Sequence, residues 1–522
     1  MIAGTYDHLK ANFAKFKNSP YREYQEESVD FILQSKKKIV VITAPTGSGK
    51  SLISMCAGAN YSGFTYLVSS KALQGQIQND FLEVAVMKGR SNYECGYNHN
   101  MNCDECMHGS LFQCELYKDN CPYEIQKRKV LGSKYRLLNY SYYLSECNYV
   151  GKFSGSPIVF ADEGDLLENL LADFINLSIS PRIVKKLQIP KPKFITAEAK
   201  NGIESWILWA DKTVRNKINN YIQRLNNQIT DAGDEDSDVK AIKRELKQAE
   251  SVKYRLDIFV ANVDKDWLFE ETYKGGYEFK PTWIPEKLSE YFFFRHARKH
   301  VLLSATFPPP SIMGKLLGRM PGDFDYYESP STFSIKNRPV KIDAVANLTY
   351  KTFDVEAPKT IKAVKRLVDE RPDRKGLIHT ISYKLTEMIM SIGNPRLVTH
   401  NTSNREEVLN MFKNSELPLV LVSPSMERGV DLKDDEARFI IFCKAPFLSL
   451  ADKLTKSRVY GSNIGSLWYR SACAQVIVQG CGRGVRHKND FCESIILDKQ
   501  IVKLMADNRS LFPTYFLSAI EI

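Results

Sequence analysis

The chain has 522 residues, 43% hydrophobic and 25% charged, with 72 basic against 61 acidic side chains and a net charge of +11. That length exceeds what one hydrophobic core supports, so two to four globular domains are expected. The basic excess suits a polyanionic partner without requiring one. There is no uninterrupted run of about 18 apolar residues, and the polar N-terminus lacks the apolar region of a secretory leader. The expectation is therefore an intracellular, reducing compartment and no membrane association, which argues against disulfides.

In chain order, the first strand signal is IVVIT (39–43), which runs into Ala44, Pro45, Thr46, Gly47, Ser48, Gly49, Lys50 and Ser51. This fits the phosphate-binding pattern G-x-x-x-x-G-K-[ST] with alanine in the first position. The glycines let backbone N–H groups turn toward phosphate oxygens. Lys50 has the reach for the β- and γ-phosphates, and the Ser51 hydroxyl is a magnesium ligand. A second strand, YLVS (66–69), follows. Then five of the eleven cysteines crowd into 27 residues: Cys95, Cys103, Cys106, Cys114 and Cys121. Zinc and an iron–sulfur cluster both suit such crowding, and the C-x-x-C pair Cys103/Cys106 keeps zinc open.

Aromatics gather at LLNYSYYL (137–144) and again at Trp468–Tyr469, as candidates for stacking on bases or for core positions. The strand PIVFA (157–161) ends in Asp162, Glu163, Gly164 and Asp165. There an Asp can hold magnesium and an adjacent Glu can orient the attacking water. Between 207 and 260 the apolar spacing turns helical, in two stretches joined by the polar DAGDEDSD, which predicts an antiparallel helical hairpin. HVLLS (300–304) is the last strand signal before the loop-like SPSTFSIKNRP. A second set follows: GLIHT (376–380), LVLVS (419–423), FIIFC (439–443) and SIILD (494–498). Short, continuous apolar strands alternating with helices predict two α/β domains with buried parallel sheets. Just before the last strand, Gln479, Arg483 and Arg486 follow the pattern Q-x-x-G-R-x-x-R, with both arginines on one face to meet an anion.

The order of these motifs resembles the XPD/DinG (Rad3-like) family of iron–sulfur superfamily 2 DNA helicases, over nearly the whole chain. YREYQ (21–25) resembles the adenine-reading segment, with Arg22 and Gln25. APTGSGKS resembles motif I, VSSKALQGQ (68–76) motif Ia, ADEGD motif II and VLLSATF motif III. VSPSMERGVDL, with Gly429 and Asp431, resembles motif V, and QGCGRGVR resembles motif VI. The cysteine-rich segment and the hairpin fall where that family carries its cluster and arch domains.

The resemblance implies two RecA-like motor domains with two insertions. The expected boundaries are 1–87, 126–172 and 276–334 for the first motor domain, 88–125 for the cluster domain, 173–275 for the arch-like insertion, and 335–522 for the second motor domain. It further implies ATP and Mg²⁺ as cofactors, with Lys50, Asp162, Glu163, Gln479, Arg483 and Arg486 as the catalytic set. A [4Fe–4S] cluster is implied on Cys95, Cys106, Cys114 and Cys121, with Cys103 as the spare or substitute ligand. The implied activity is a monomeric 5′→3′ motor on single-stranded DNA that unwinds fork or flap structures. One alternative is a nucleic-acid-stimulated ATPase that remodels R-loops or protein–DNA complexes without processive unwinding. Another is a redox-sensing binding module. One departure stands out: the family's motif II ends in histidine, whereas this chain has Asp165, which puts the coupling between motifs in question.

Overall fold

The computed structural model describes residues 5–96, 99, 101–105, 120–193, 202–231, 237–426 and 432–521. Ten strands precede residue 335: β1 (Ile39–Thr43), β2 (Phe64–Val68), β3 (Ala85–Val86), β4 (Tyr135–Asn139), β5 (Ser156–Asp162), β6 (Leu177–Ile179), β7 (Trp267–Glu271), β8 (Tyr277–Pro281), β9 (Ala297–Ser304) and β10 (Phe324–Glu328). Seven follow: β11 (Val340–Ala346), β12 (Gly376–His379), β13 (Leu397–Thr399), β14 (Val420–Ser423), β15 (Phe439–Phe442), β16 (Glu493–Asp498) and β17 (Ile520–Glu521).

Among the described residues, fourteen of these strands form two seven-stranded, all-parallel sheets, ordered β10-β1-β9-β5-β2-β4-β3 and β13-β14-β12-β15-β16-β11-β17. All eight apolar runs of the sequence are strands in these sheets. The central ones are buried along their length because helices cover both faces, so both side-chain orientations must be apolar. Shorter or mixed strands such as YRLLN and FDYYE are placed only by pairing with a neighbour.

In the first sheet, β1, β9 and β5 are neighbours, with Thr43 level with Ser304 and Asp162 level with Leu303. Their carboxyl ends therefore open onto one crevice, the usual ligand position in an open parallel sheet.

A small antiparallel sheet, β6-β8-β7, supports the helical insertion. Its long helices, Arg215–Asp231 and Ser237–Asn262, pack antiparallel: Arg215 pairs with Asp257 while Tyr221 meets Glu245. Ile218, Tyr221 and Leu225 face Val252, Leu256 and Phe259 in one buried seam. The second helix also reaches the cysteine-rich segment, where Arg244 pairs with Glu105 at 2.8 Å and Lys247 with Asp104 at 2.5 Å.

The stacking candidates are core residues. Tyr140, Tyr142, Tyr143 and Trp468 are buried, and Tyr469 stacks on Phe447 and donates its hydroxyl to the Leu448 carbonyl. Burial of the ring faces leaves these four buried aromatics unable to receive a base. Among the described residues, no helix is long and apolar enough to cross a membrane.

Candidate nucleotide site

The loop after β1 turns through left-handed φ at Gly47 (81°) and Gly49 (82°), then enters the helix Lys50–Ala59. Both glycines are also required by their neighbours. A side chain on Gly49 would stand 2.4 Å from Gln25 Nε2, and one on Gly47 would meet the Arg486 carbonyl at 2.9 Å. Arg22 and Gln25 shape this loop directly. The Gln25 amide donates to the Ser48 carbonyl (2.8 Å) and accepts from Arg22 N–H (2.8 Å), while the Arg22 guanidinium donates to the Gly47 carbonyl (2.6 Å). Lys50 Nζ lies over the loop, donating to the carbonyls of Ala44 (3.0 Å) and Pro45 (3.3 Å). Burial pushes the Lys50 ammonium down from its usual range. Asp162 opposes that shift and the nearby charge of Arg486 adds to it.

Opposite the loop, Asp162 is buried at the end of β5. Its Oδ2 accepts from Tyr66 Oη at 2.9 Å and its Oδ1 from the Glu163 N–H at 3.0 Å. Tyr66 Oη also lies 3.5 Å from Ser51 Oγ, so one phenol ties the two expected magnesium-holding residues together. Burial raises the Asp162 carboxyl, with Lys50 pulling the other way. A buried carboxylate beside a hydroxyl fits a divalent cation, whose charge would offset that desolvation. Glu163 adopts a left-handed φ of 52°, uncommon for a non-glycine residue, and its carboxylate accepts from Ser69 Oγ. Tyr66 carries no motif of its own and emerges only from sheet packing, while Ser69, in the motif Ia segment, gains its partner Glu163 only in the folded chain.

Asp165 joins three motifs. Its Oδ1 accepts from Ser304 Oγ of motif III at 2.6 Å, and its Oδ2 accepts from Gln479 Nε2 of motif VI at 2.9 Å. The missing histidine thus does not leave this position disconnected: an acceptor serves two donors. Gln479 sits in the last turn of the helix Gly465–Cys481, and the following loop brings Arg486 against Gly47. The charge of Arg483 bears on His379, whose imidazole is buried and held neutral, down to about 3. Gly429 and Asp431 lie outside the described residues.

Comparison with known proteins places this cleft. The helicase C-terminal domain family matches residues 364–516, and the type III restriction enzyme res subunit family matches residues 18–120. A solved structure titled XPD_Helicase superposes with a TM-score of 0.63 at 16% identity, covering 94% of this chain and 98% of that one. The chain has the fold of this XPD structure. A second structure, titled Structure of S. tokodaii Xpd4, superposes at 0.59 with 14% identity over 96% and 99% of the two chains. Two proteins named ATP-dependent DNA helicase CHL1 also match. The one from Saccharomyces cerevisiae (strain YJM789) is 23% identical over 168 residues, and the one from Debaryomyces hansenii 23% over 173. The matched parts are 28% and 26% of this chain, and about a fifth of the relatives' length, 20% and 21%.

Within the XPD fold the cysteine-rich segment lies between β3 and β4. Cys95 and Cys103 are buried and Cys121 is partly so. Backbone hydrogen bonds Cys95 N–Met101 O (2.8 Å) and Cys103 N–Tyr93 O (2.7 Å) bring residues 93–95 alongside 101–103. Burial and the neighbouring thiols of Cys121 and Cys95 push the Cys103 thiol up to about 12. Cys103, the expected spare, therefore stands with the two border cysteines. Cys106 and Cys114 lie outside the described residues. Three converging thiols in a segment with little core of its own fit a thiolate-held metal centre, because bound iron or zinc would supply the folding energy and deprotonate them.

Proposed function

We propose that this chain is an ATP- and Mg²⁺-dependent DNA helicase that translocates on single-stranded DNA, with 5′→3′ polarity, and couples hydrolysis to unwinding. The observation that carries this reading is the Asp165 bridge, which ties motif II of one sheet domain to motif VI of the other. An ATPase without mechanical output has no need for its metal-side carboxylates to report on a second domain.

Hydrolysis here is positioning plus electrostatics. Ser51 and Asp162 would hold Mg²⁺, which would supply charge neutralisation at the phosphates. Glu163, held by Ser69, orients a water for in-line attack on the γ-phosphorus and accepts its proton as the bond to the β-phosphate oxygen breaks. Lys50, Arg483 and Arg486 balance charge on the transferred group, while Arg22 and Gln25 fix the loop that receives the phosphates. A [4Fe–4S] cluster on Cys95, Cys121, Cys103 and one of Cys106 or Cys114 would order the inserted segment beside the helical hairpin.

The test is ATP turnover with and without single-stranded DNA, and strand displacement on duplexes with 5′ or 3′ tails, using anaerobically purified protein. Stimulated turnover with displacement from the 5′ tail is expected, and both are lost in Glu163→Gln. Stimulated turnover without displacement on either tail would favour the remodelling ATPase, and no stimulation by any nucleic acid would overturn the motor reading.

A further inference from the structure

The two sheet domains touch at a second place, away from the nucleotide loop, and the contact there is of a different kind. Arg458, in the helix Lys453–Tyr460 of the second domain, is buried at 4% exposure. Its guanidinium sits in the corner formed by two indoles, 4.8 Å from the ring centre of Trp283 in the first domain and 5.1 Å from that of Trp468 in its own. The indoles meet edge to face at 5.8 Å. Arg458 Nε donates to the Thr282 carbonyl at 2.6 Å, and its terminal nitrogen donates to Glu168 Oε1 at 2.5 Å, with Glu168 itself buried. Ile312, Leu316, Ile464 and Leu467 close the cluster from both sides.

Chain geometry connects this cluster to the chemistry. Glu168 follows Asp165 by three residues, so motif II and the ion pair share one turn of backbone. Trp468 and Gln479 lie on the same helix, Gly465–Cys481, about 16 Å apart at the rise of an α-helix. That helix is a rigid bar, gripped near its start by the indole–guanidinium stack and presenting Gln479 to Asp165 near its end.

The two contacts differ in how readily they separate. At the nucleotide side the domain contacts include single hydrogen bonds, from the Gln479 amide to the Asp165 carboxylate and from the Tyr515 hydroxyl to the Ala305 backbone carbonyl. Water can replace those bonds at little net cost. Parting the domains here would expose the apolar cluster of Trp283, Ile312 and Trp468 to water, a cost that hydration of the separated Arg458 and Glu168 charges does not remove.

We propose that Arg458, held against Trp283 and Trp468 and paired with Glu168, is the fixed pivot on which the two sheet domains turn. It is a positioning residue: it touches neither nucleotide nor metal, and it sets where motif VI arrives against motif II. The inference rests on the ATP-driven reading above.

The Thr282 and Ser457 hydroxyls lie 3.5 Å apart across this contact, which supplies the test. Thr282→Cys with Ser457→Cys, oxidised by glutathione disulfide, covalently closes the pivot. The two single-cysteine variants, treated alike, report any damage to other thiols. A pivot that stays closed through the cycle keeps DNA-stimulated ATP turnover within about two-fold of the single variants after cross-linking. A loss of ten-fold or more, reversed by reductant, would show a latch that must open, and would overturn the proposal. So would a pair that fails to cross-link while the singles are folded, since a permanent contact must react. Arg458→Ala should lower kcat about ten-fold with the KM for ATP changed less than about three-fold, and Arg458→Lys should recover part of it by restoring the charge without the planar stack. An Arg458→Ala variant with parental kcat overturns the pivot. If the parent and single-cysteine proteins hydrolyse no ATP, the motor reading fails instead, a result distinct from cross-link-dependent loss.

Discussion

In the first sheet the cleft's polar groups stand on neighbouring strand ends. The phosphate loop follows β1, Ser304 closes β9 and Asp162 closes β5, all held in register by parallel strand pairing. In the second sheet no strand end supplies Gln479 or Arg486. They come from the last turn of one helix and the loop behind it, and reach the cleft only because the domains meet. One half is therefore assembled by its own hydrogen-bond ladder, whereas the other depends on an interface between domains. Loss of a group in the first half should remove chemistry, and loss of a link to the second should remove communication.

The largest effect is expected from Lys50→Ala. Removing the loop's cation should cut ATP turnover roughly 100- to 1000-fold, with single-strand affinity nearly unchanged because that affinity comes from distributed basic contacts. Parallel loss of DNA binding, measured by fluorescence anisotropy, would mean that the two halves are not separable in this way.

Asp165→Ala sharpens the comparison by cutting only the link. It leaves Ser304 and Gln479 without their shared acceptor, at about 1–3 kcal/mol. The expected outcome is a drop in DNA stimulation of about ten-fold with basal turnover less affected, as a 1.4 kcal/mol loss corresponds to ten-fold. Asp165→Asn keeps one acceptor oxygen and should fall between. Equal loss of basal and stimulated rates in both variants would return Asp165 to the metal-side chemistry.

A smaller effect on hydrolysis is expected from the cysteines, which belong to neither sheet. Cys103→Ser and Cys121→Ser should both lower bound iron in anaerobically purified protein, while ATP turnover persists and strand displacement fails. Full iron in Cys103→Ser would return that residue to the role of spare.

The smallest contrast is in acid. Each sheet buries one imidazole, His300 in β9 and His379 in β12, and burial holds both down to about 3. A depressed histidine stabilises the fold fully above its unfolded value near 6.5, and that stability is lost as pH falls toward 3. At pH 5 each should cost about 2 kcal/mol. Thermal melts at pH 7 and 5 should show a smaller acid shift in His300→Phe, whose site is flanked by Phe293 and Phe294, and in His379→Leu. An unchanged pH dependence in both variants would show that these imidazoles do not titrate with folding.

The parallel sheets were legible because their strands are continuous apolar runs, which few other structures accommodate, and the phosphate loop because its glycines and lysine are adjacent in sequence. Asp162, Glu163 and Gln479 were legible as motif positions. Tyr66 was not, since a tyrosine in a strand carries no mark of the carboxylate it will meet, and Ser69 was legible only as part of the motif Ia segment, not as a partner of Glu163. The aromatic clusters at 140–143 and 468–469 left base stacking and core positions both open, because composition does not say which ring face is covered. The place of Cys103 beside Cys95 and Cys121 likewise depended on the pairing of residues 93–95 with 101–103.

By itself, then, the sequence determined which segments are strands and which short run turns through the glycine loop after β1, because both are local consequences of periodicity and spacing. Tertiary structure alone decided what Asp165 does and where Arg458 lies. Asp165 gains its two donors from residues 139 and 314 positions away, and Arg458 meets Glu168 across 290 positions, distances at which no local pattern constrains the pairing and only the packing of two finished domains does.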